Sequence, residues 1–292
     1  MKFVTDIHGL SDALNTVVCG DALSFIKKLP DQCVDTVITS PPYWQQRDYN
    51  CNGQIGLEQD PFVYIDSLLA IFDEVRRVLK KKGSIWINIG DSYNENSGGY
   101  FAHENNDAPH IGKHRLKTAK YQKHLPRRSL LLLPYQFACK MVYEKDWCCR
   151  DLIIWRKKIV QPTTAQNRFT SDFEPVFFFT QGMKYYFDKE SVKWIDGMDD
   201  LFETQKRERR SVWDLNSDHM SKTGHKAPYP LDLARIPLQA TCPVGGIVLD
   251  PFLGSGTTAL AAKEMGRNFL ACDLSPDFCK IAEKRLELSL PD

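Results

Sequence analysis

From Gly246 onward the chain reads as strand, glycine-rich turn, helix, second strand and acid, a succession that few folds accommodate. Gly246 to Leu249 is a short apolar strand, and Asp250-Pro251-Phe252-Leu253-Gly254-Ser255-Gly256-Thr257-Thr258 is the turn. Thr258 to Met265 follows as a helix, and Asn268 to Cys272 as a strand ending in Asp273, 23 residues after Asp250. The pattern predicts an open α/β sheet, which binds its ligands at the carboxyl ends of its strands. Glycines let a ligand approach the backbone, and the following acid can accept ribose hydroxyls. A Walker phosphate loop is excluded because no lysine follows the last glycine, and a dinucleotide fingerprint fits poorly because no third glycine stands in register.

A second motif lies far upstream. The apolar run Val34 to Ile38 leads into Thr39-Ser40-Pro41-Pro42-Tyr43-Trp44. The two prolines have no amide hydrogen to donate and hold the chain extended, so the carbonyls of Ser40 and Pro41 become fixed acceptors. Ser40 adds a hydroxyl and Tyr43 a flat ring. The set suits a planar conjugated amino group, such as that of a nucleobase.

Between and around these motifs the chain alternates in the same style. Thr16 to Cys19 is a strand ending in Gly20-Asp21, where Asp21 either caps the helix from Ala22 to Leu29 or accepts a hydrogen bond from a ligand. Gln45 to Gln59 reads as a mobile loop. Asp60-Pro61 opens a helix with Ile65, Leu68, Leu69, Phe72, Val75 and Leu79 at helical spacing, closed by Lys80-Lys81-Lys82-Gly83. Ser84 to Ile89 and Asp151 to Trp155 are strands, and Pro134 to Lys145 is a helix. Glu174 to Thr180 and Met183 to Phe187 are expected to form an antiparallel hairpin at one sheet edge. Ser275-Pro276 caps a last helix through Leu286.

Two segments lack apolar periodicity, 94–128 and 188–224. Lys113 to Arg128 contains seven Lys or Arg, two His and no acid, and Lys206 to Arg210 is a second basic cluster. Lys113, Arg115, Lys117, Lys120, Lys123, Arg127 and Arg128, with Arg209 and Arg210, are the candidate phosphate contacts, against the alternative of solvated surface loops.

The glycine-turn block resembles the S-adenosylmethionine motif of amino-group DNA methyltransferases, and Ser40-Pro41-Pro42-Tyr43 resembles their catalytic motif. Catalytic motif first and cofactor motif last resembles the β group of that family; relatives acting on protein glutamine or RNA guanine usually have the reverse order. The resemblance covers most of the chain and implies a Rossmann-like sheet with helices on both faces, in one catalytic domain over 1–292. It assigns Ser40, Pro41, Pro42 and Tyr43 to catalysis. Asp21, Asp250, Pro251, Phe252, Gly254, Ser255, Gly256, Thr257 and Asp273 would hold S-adenosylmethionine, with His225 to Pro230 beside it. The implied reaction is methyl transfer to a flipped-out base in double-stranded DNA. Serine at the head of the motif is similar to the cytosine N(4) enzymes, with adenine N(6) as the alternative. A non-catalytic DNA-binding or regulatory protein is the reading outside the enzyme class. The resemblance also admits a homodimer, and a cognate restriction endonuclease without a stable complex.

Composition narrows the remaining classes. Hydrophobic residues make up 42% and charged residues 26% of 292, an ordinary globular balance, and a net charge of +1 leaves affinity for a polyanion to local patches. No stretch approaches a membrane span and no signal sequence opens the chain, so a cytoplasmic location is expected. Nine cysteines without Cys-x-x-Cys spacing read as reduced, and the histidines show no metal-ligand spacing, so no metal is expected. Methylation at cytosine carbon 5 needs a cysteine nucleophile, typically in a Pro-Cys pair, and the chain contains none.

Overall fold

The computed structural model describes residues 1–94, 122–160, 165–195, 206–216 and 229–288. In chain order its elements begin with β1 (Lys2–Phe3), α1 (Leu10–Ala13), β2 (Val17–Cys19), α2 (Ala22–Ile26), β3 (Val34–Thr39), α3 (Pro61–Val78) and β4 (Leu79–Asn88). Then come α4 (Leu133–Tyr143), β5 (Cys148–Lys157), β6 (Phe173–Thr180), β7 (Trp194–Ile195), β8 (Lys206–Arg207) and β9 (Val212–Leu215). The chain closes with α5 (Leu231–Thr241), β10 (Ile247–Asp250), α6 (Thr257–Glu264), β11 (Asn268–Asp273) and α7 (Pro276–Leu288).

Among the described residues, nine strands form one sheet in the order β1-β2-β11-β10-β3-β4-β6-β5-β9, while β7 and β8 pair separately. Strand β6 is antiparallel to both its neighbours, and every other pairing in the large sheet is parallel. Strand β3 is continued by β4 on one side, and β10, its other neighbour, by β11 away from it. The β10/β3 boundary is therefore a topological switch point, where such sheets open a crevice.

Burial follows from the residue pattern. Val37 of β3 joins a core cluster with Phe25, Ile65, Leu68, Phe72, Phe137 and Met141, so α2, α3 and α4 cover one face. Ile38 joins Leu233, Leu238, Ala259, Ala262, Cys279 and Ala282, so α5, α6 and α7 cover the other. The alternation of side chains along a strand assigns neighbouring residues to opposite faces. Asp60 accepts from the Phe62 amide with Pro61 in the first turn, as the helix signal required.

Three expectations are corrected. Residues 183–187 are not a strand: β6 lies inside the sheet between β4 and β5, buried from Pro175 to Thr180, so 148–157 is the antiparallel neighbour instead. Tyr185 and Phe187 pack their rings on Phe178 rather than pairing their backbone. Lys80 to Lys82 do not close α3 but open β4, because buried Leu79 pairs with Val34 and Gln181 Nε2 caps the Arg76 and Leu79 carbonyls. Within 188–224, read as irregular, Val212–Leu215 is strand β9 along β5, with Trp213 buried. Helix α5 was not foreseen, its pattern being interrupted by Pro237. Among the described residues, no helix is long and apolar enough to cross a membrane.

Candidate active site

The carboxyl ends of β2, β3, β4, β10 and β11 bring Asp21, Ser40, Asn88, Asp250 and Asp273 to one rim of the sheet. Because β6 runs the other way, its first residues, Phe173 and Glu174, reach the same rim beside Lys157 at the end of β5.

Around Ser40 the polar groups form a chain across four strands. Ser40 Oγ lies 3.3 Å from Asn88 Oδ1 and 3.4 Å from the Tyr43 hydroxyl. The Tyr43 hydroxyl lies 2.9 Å from Asn88 Oδ1 and 2.7 Å from Glu174 Oε2. Lys157 Nζ sits 2.5 Å from Glu174 Oε1, and Asn88 Nδ2 donates to the Pro175 carbonyl at 3.2 Å. Burial and the Glu174 charge hold the Tyr43 phenol well above its ordinary pKa, so it stays protonated. The Tyr43 ring rests on Gly90, where an added Cβ would stand 2.3 Å from ring atom Cε2. Tyr64 donates its hydroxyl to the Pro42 carbonyl at 2.9 Å, fixing the back of the motif.

The glycine turn is built differently. Gly254 adopts φ +54°, a conformation glycine tolerates, and a Cβ there would meet nothing within 4 Å, which leaves the open approach a bound ligand needs. Asp273 accepts from the Gly254 amide at 2.7 Å and the Ser275 amide at 2.9 Å, and its two oxygens retain lone pairs for further donors. Burial pushes its carboxyl up to about 6. Asp21 is exposed beside it and caps α2 through the Ser24 amide at 2.8 Å, so cap and ligand acceptor are compatible roles. Phe252 is half-buried, and Pro251 is buried under the turn.

Asp250, Ser255 and Thr257 turn their side chains into the protein. Asp250 accepts from Thr39 Oγ1 at 2.7 Å and Thr258 Oγ1 at 2.6 Å, and from the Phe252 amide at 3.1 Å. Fully buried, its carboxyl is pushed up to about 6. It thus rivets the residue before Ser40 to the helix after the glycine turn. Tyr229, from the segment expected beside the cofactor, hydrogen-bonds Thr258. Arg285 of α7 donates to the Ser255 carbonyl at 2.7 Å and hydroxyl at 2.9 Å, and to Thr257 Oγ1 at 3.3 Å. Gly256 packs against Ala282, where a Cβ would come within 2.9 Å.

The loop after Trp44 is braced rather than loose. The Gln45 amide donates to the Gly56 carbonyl at 2.6 Å, and Gln54 ties Tyr49 to Arg47. Its Tyr49 ring meets Phe278 edge-on at 5.5 Å, so the loop spans from the serine motif to the Asp273 corner.

Of the candidate phosphate contacts, Lys113, Arg115, Lys117 and Lys120 lie outside the described residues, as do His225 to Pro228. Lys123, Arg127, Arg128 and Arg210 are exposed, whereas Arg209 is half-buried and donates to the Val192 carbonyl. Sequence reasoning missed Asn88, Glu174, Thr258 and Arg285 as site residues. A polar side chain closing the apolar run before Gly90 was the available sign for Asn88.

Comparison with known proteins matches this geometry. A family model described as DNA methylase, covering N6 and N4 methyltransferases, matches residues 34–284, which include both motifs. The type II methyltransferase M.SmaI of Serratia marcescens is 35% identical over 274 residues, 92% of this chain and 90% of that protein. M.Cfr9I of Citrobacter freundii is 34% identical over 272 residues, 93% of this chain and 87% of its own. Among solved structures, the PvuII DNA methyltransferase (cytosine-N4-specific) superposes with a TM-score of 0.68 at 18% identity, covering 94% of this chain and 86% of that one. With the serine motif and the glycine turn inside one family match, the chain belongs to the DNA methylase family and is a DNA methyltransferase whose methyl donor is S-adenosylmethionine.

Proposed function

We propose that the protein transfers a methyl group to the exocyclic N(4) amino group of a cytosine swung out of double-stranded DNA. The observation that carries this reading is the surplus of acceptors at the rim of β3: Ser40, Tyr43, Asn88 Oδ1 and Glu174 converge there with only two hydroxyl hydrogens among them. An amino group brings the two donors such a site lacks. The serine at the head of the motif, and the cytosine-N4-specific naming of one structural neighbour, favour cytosine over adenine.

Ser40 and the Pro41 carbonyl accept the two amino hydrogens, which localises the nitrogen lone pair that conjugation otherwise spreads into the ring. Tyr43, pressed on Gly90 and tied by its hydroxyl, offers a fixed aromatic surface to the base. When bound, S-adenosylmethionine would supply an electrophilic methyl, its sulfonium sulfur keeping the bonding electron pair as the sulfur–methyl bond breaks. Gly254, Asp273 and Asp21 would hold that donor, while Asp250, Ser255 and Thr257 shape the turn. Positioning supplies much of the acceleration. The nitrogen lone pair forms the new bond, and the surplus proton leaves the alkylated amino group to solvent, since neutral Ser40 is a poor base. Extruding the base costs a few kcal/mol, offset by phosphate contacts from the basic segments in 94–128 and at Arg210.

Nucleoside mass spectrometry of unmethylated genomic DNA incubated with protein and S-adenosylmethionine tests the reading. N(4)-methylcytosine is expected. N(6)-methyladenine alone would overturn the choice of base, and no methylated amino base at all would overturn the reaction.

A further inference from the structure

The Ser40 network has a direction, set by a residue that touches neither expected ligand. Pro175 has only a carbonyl to offer, so Asn88 must turn Nδ2 toward it and Oδ1 toward the two hydroxyls. Tyr43 has one hydrogen and two acceptors in reach, Asn88 Oδ1 at 2.9 Å and Glu174 Oε2 at 2.7 Å. The closer acceptor carries the negative charge and takes the hydrogen. Lys157, 2.5 Å from the other Glu174 oxygen, holds that carboxylate in place. Ser40 then meets two oxygens with lone pairs to spare, Asn88 Oδ1 and the Tyr43 oxygen, and its own hydrogen points inward.

We propose that Glu174, held by Lys157, is a positioning residue for methyl transfer: by drawing the Tyr43 hydrogen it turns the Ser40 hydrogen inward and leaves the Ser40 lone pairs facing the target amino group. This inference rests on the amino-transfer reading above and adds the residue that polarises it. Without the carboxylate, Tyr43 gives its hydrogen to Asn88 Oδ1 and competes there with Ser40, whose hydroxyl is then freer to turn outward as a donor. A donor aimed at an amino group opposes the reaction. Glu174 and Lys157 lie on strands β6 and β5, so the device depends on the reversed strand that brings the start of β6 to the rim.

The test is a double-mutant cycle on the single-turnover rate of methyl transfer to DNA, with cofactor affinity measured by titration calorimetry on each protein. Glu174→Ala should slow transfer by about 30- to 100-fold, the scale of a misplaced reacting group, with cofactor affinity within about twofold. Glu174→Gln, which keeps a carbonyl for Tyr43, should recover a substantial part of that loss. In a Tyr43→Phe background, either Glu174 change should cost less than about threefold more. A full repeat of the single-mutant loss in that background, or native rates for both Glu174 variants, overturns the proposal. If Glu174→Ala does not fold, Glu174→Gln and Tyr43→Phe complete the cycle. Failure of the amino-transfer reading is distinguishable, since the native protein would then yield no methylated amino base.

Discussion

Burial and hydrogen bonds divide three acidic residues at one rim into different roles. Asp21 stays exposed, Asp273 is half-buried with two amides on it, and Asp250 is sealed under the turn with two threonine hydroxyls and an amide. Asp250 has its carboxyl raised from 3.8 to about 6 by desolvation, so its ionised form is the disfavoured one. The folded state then holds a proton that the unfolded chain has lost, and stability declines as pH rises from about 4 through about 6. Its size is on the order of 3 kcal/mol when the shift is converted at the standard factor. Thermal melts of the native protein and Asp250→Asn across pH 4 to 7 should show the native protein losing ground to the variant as pH rises. A constant difference would mean that Asp250 does not titrate there. The sequence marked Asp250 as a ligand candidate because it opens the glycine turn; its role as a rivet depends on Thr39, 211 residues away, and no spacing rule reaches that far.

At the scale of elements, what was legible and what was not follows from locality. The α3 cap, the strand before Ser40 and the glycine turn are signalled within a few residues of themselves, and the structure places all three as read. Strand partners are a different kind of information. The run Glu174 to Thr180 was read as a strand, but nothing local says that it lies inside the sheet, so its tempting neighbour across Gln181-Gly182 was taken for its partner. For the same reason Glu174 escaped notice, 131 residues from Tyr43. Helix α7 also does more than cover the sheet: Arg285 holds the backbone and hydroxyls of the glycine turn from behind. Arg285→Ala should raise the S-adenosylmethionine dissociation constant by about tenfold, the loss of a hydrogen bond or two to a charged group. Calorimetry checks this, and an unchanged constant would mean that the turn holds its shape unaided.

For the whole molecule, a net charge of +1 gives no general attraction for DNA, so affinity for a polyanion is left to local basic patches. The two motifs divide at the β10/β3 switch point: β3 leads to β4 and carries the serine motif, whereas β10 leads away to β11 and carries the glycine turn. The proposed function makes these halves separable, with Ser40 serving transfer and the turn serving cofactor. It is tested most directly by measuring single-turnover methyl transfer and S-adenosylmethionine affinity together in Ser40→Ala. Transfer is expected to slow by at least about 100-fold, with cofactor affinity within about twofold of native. Transfer at the native rate, or cofactor affinity falling in step with it, would contradict the account.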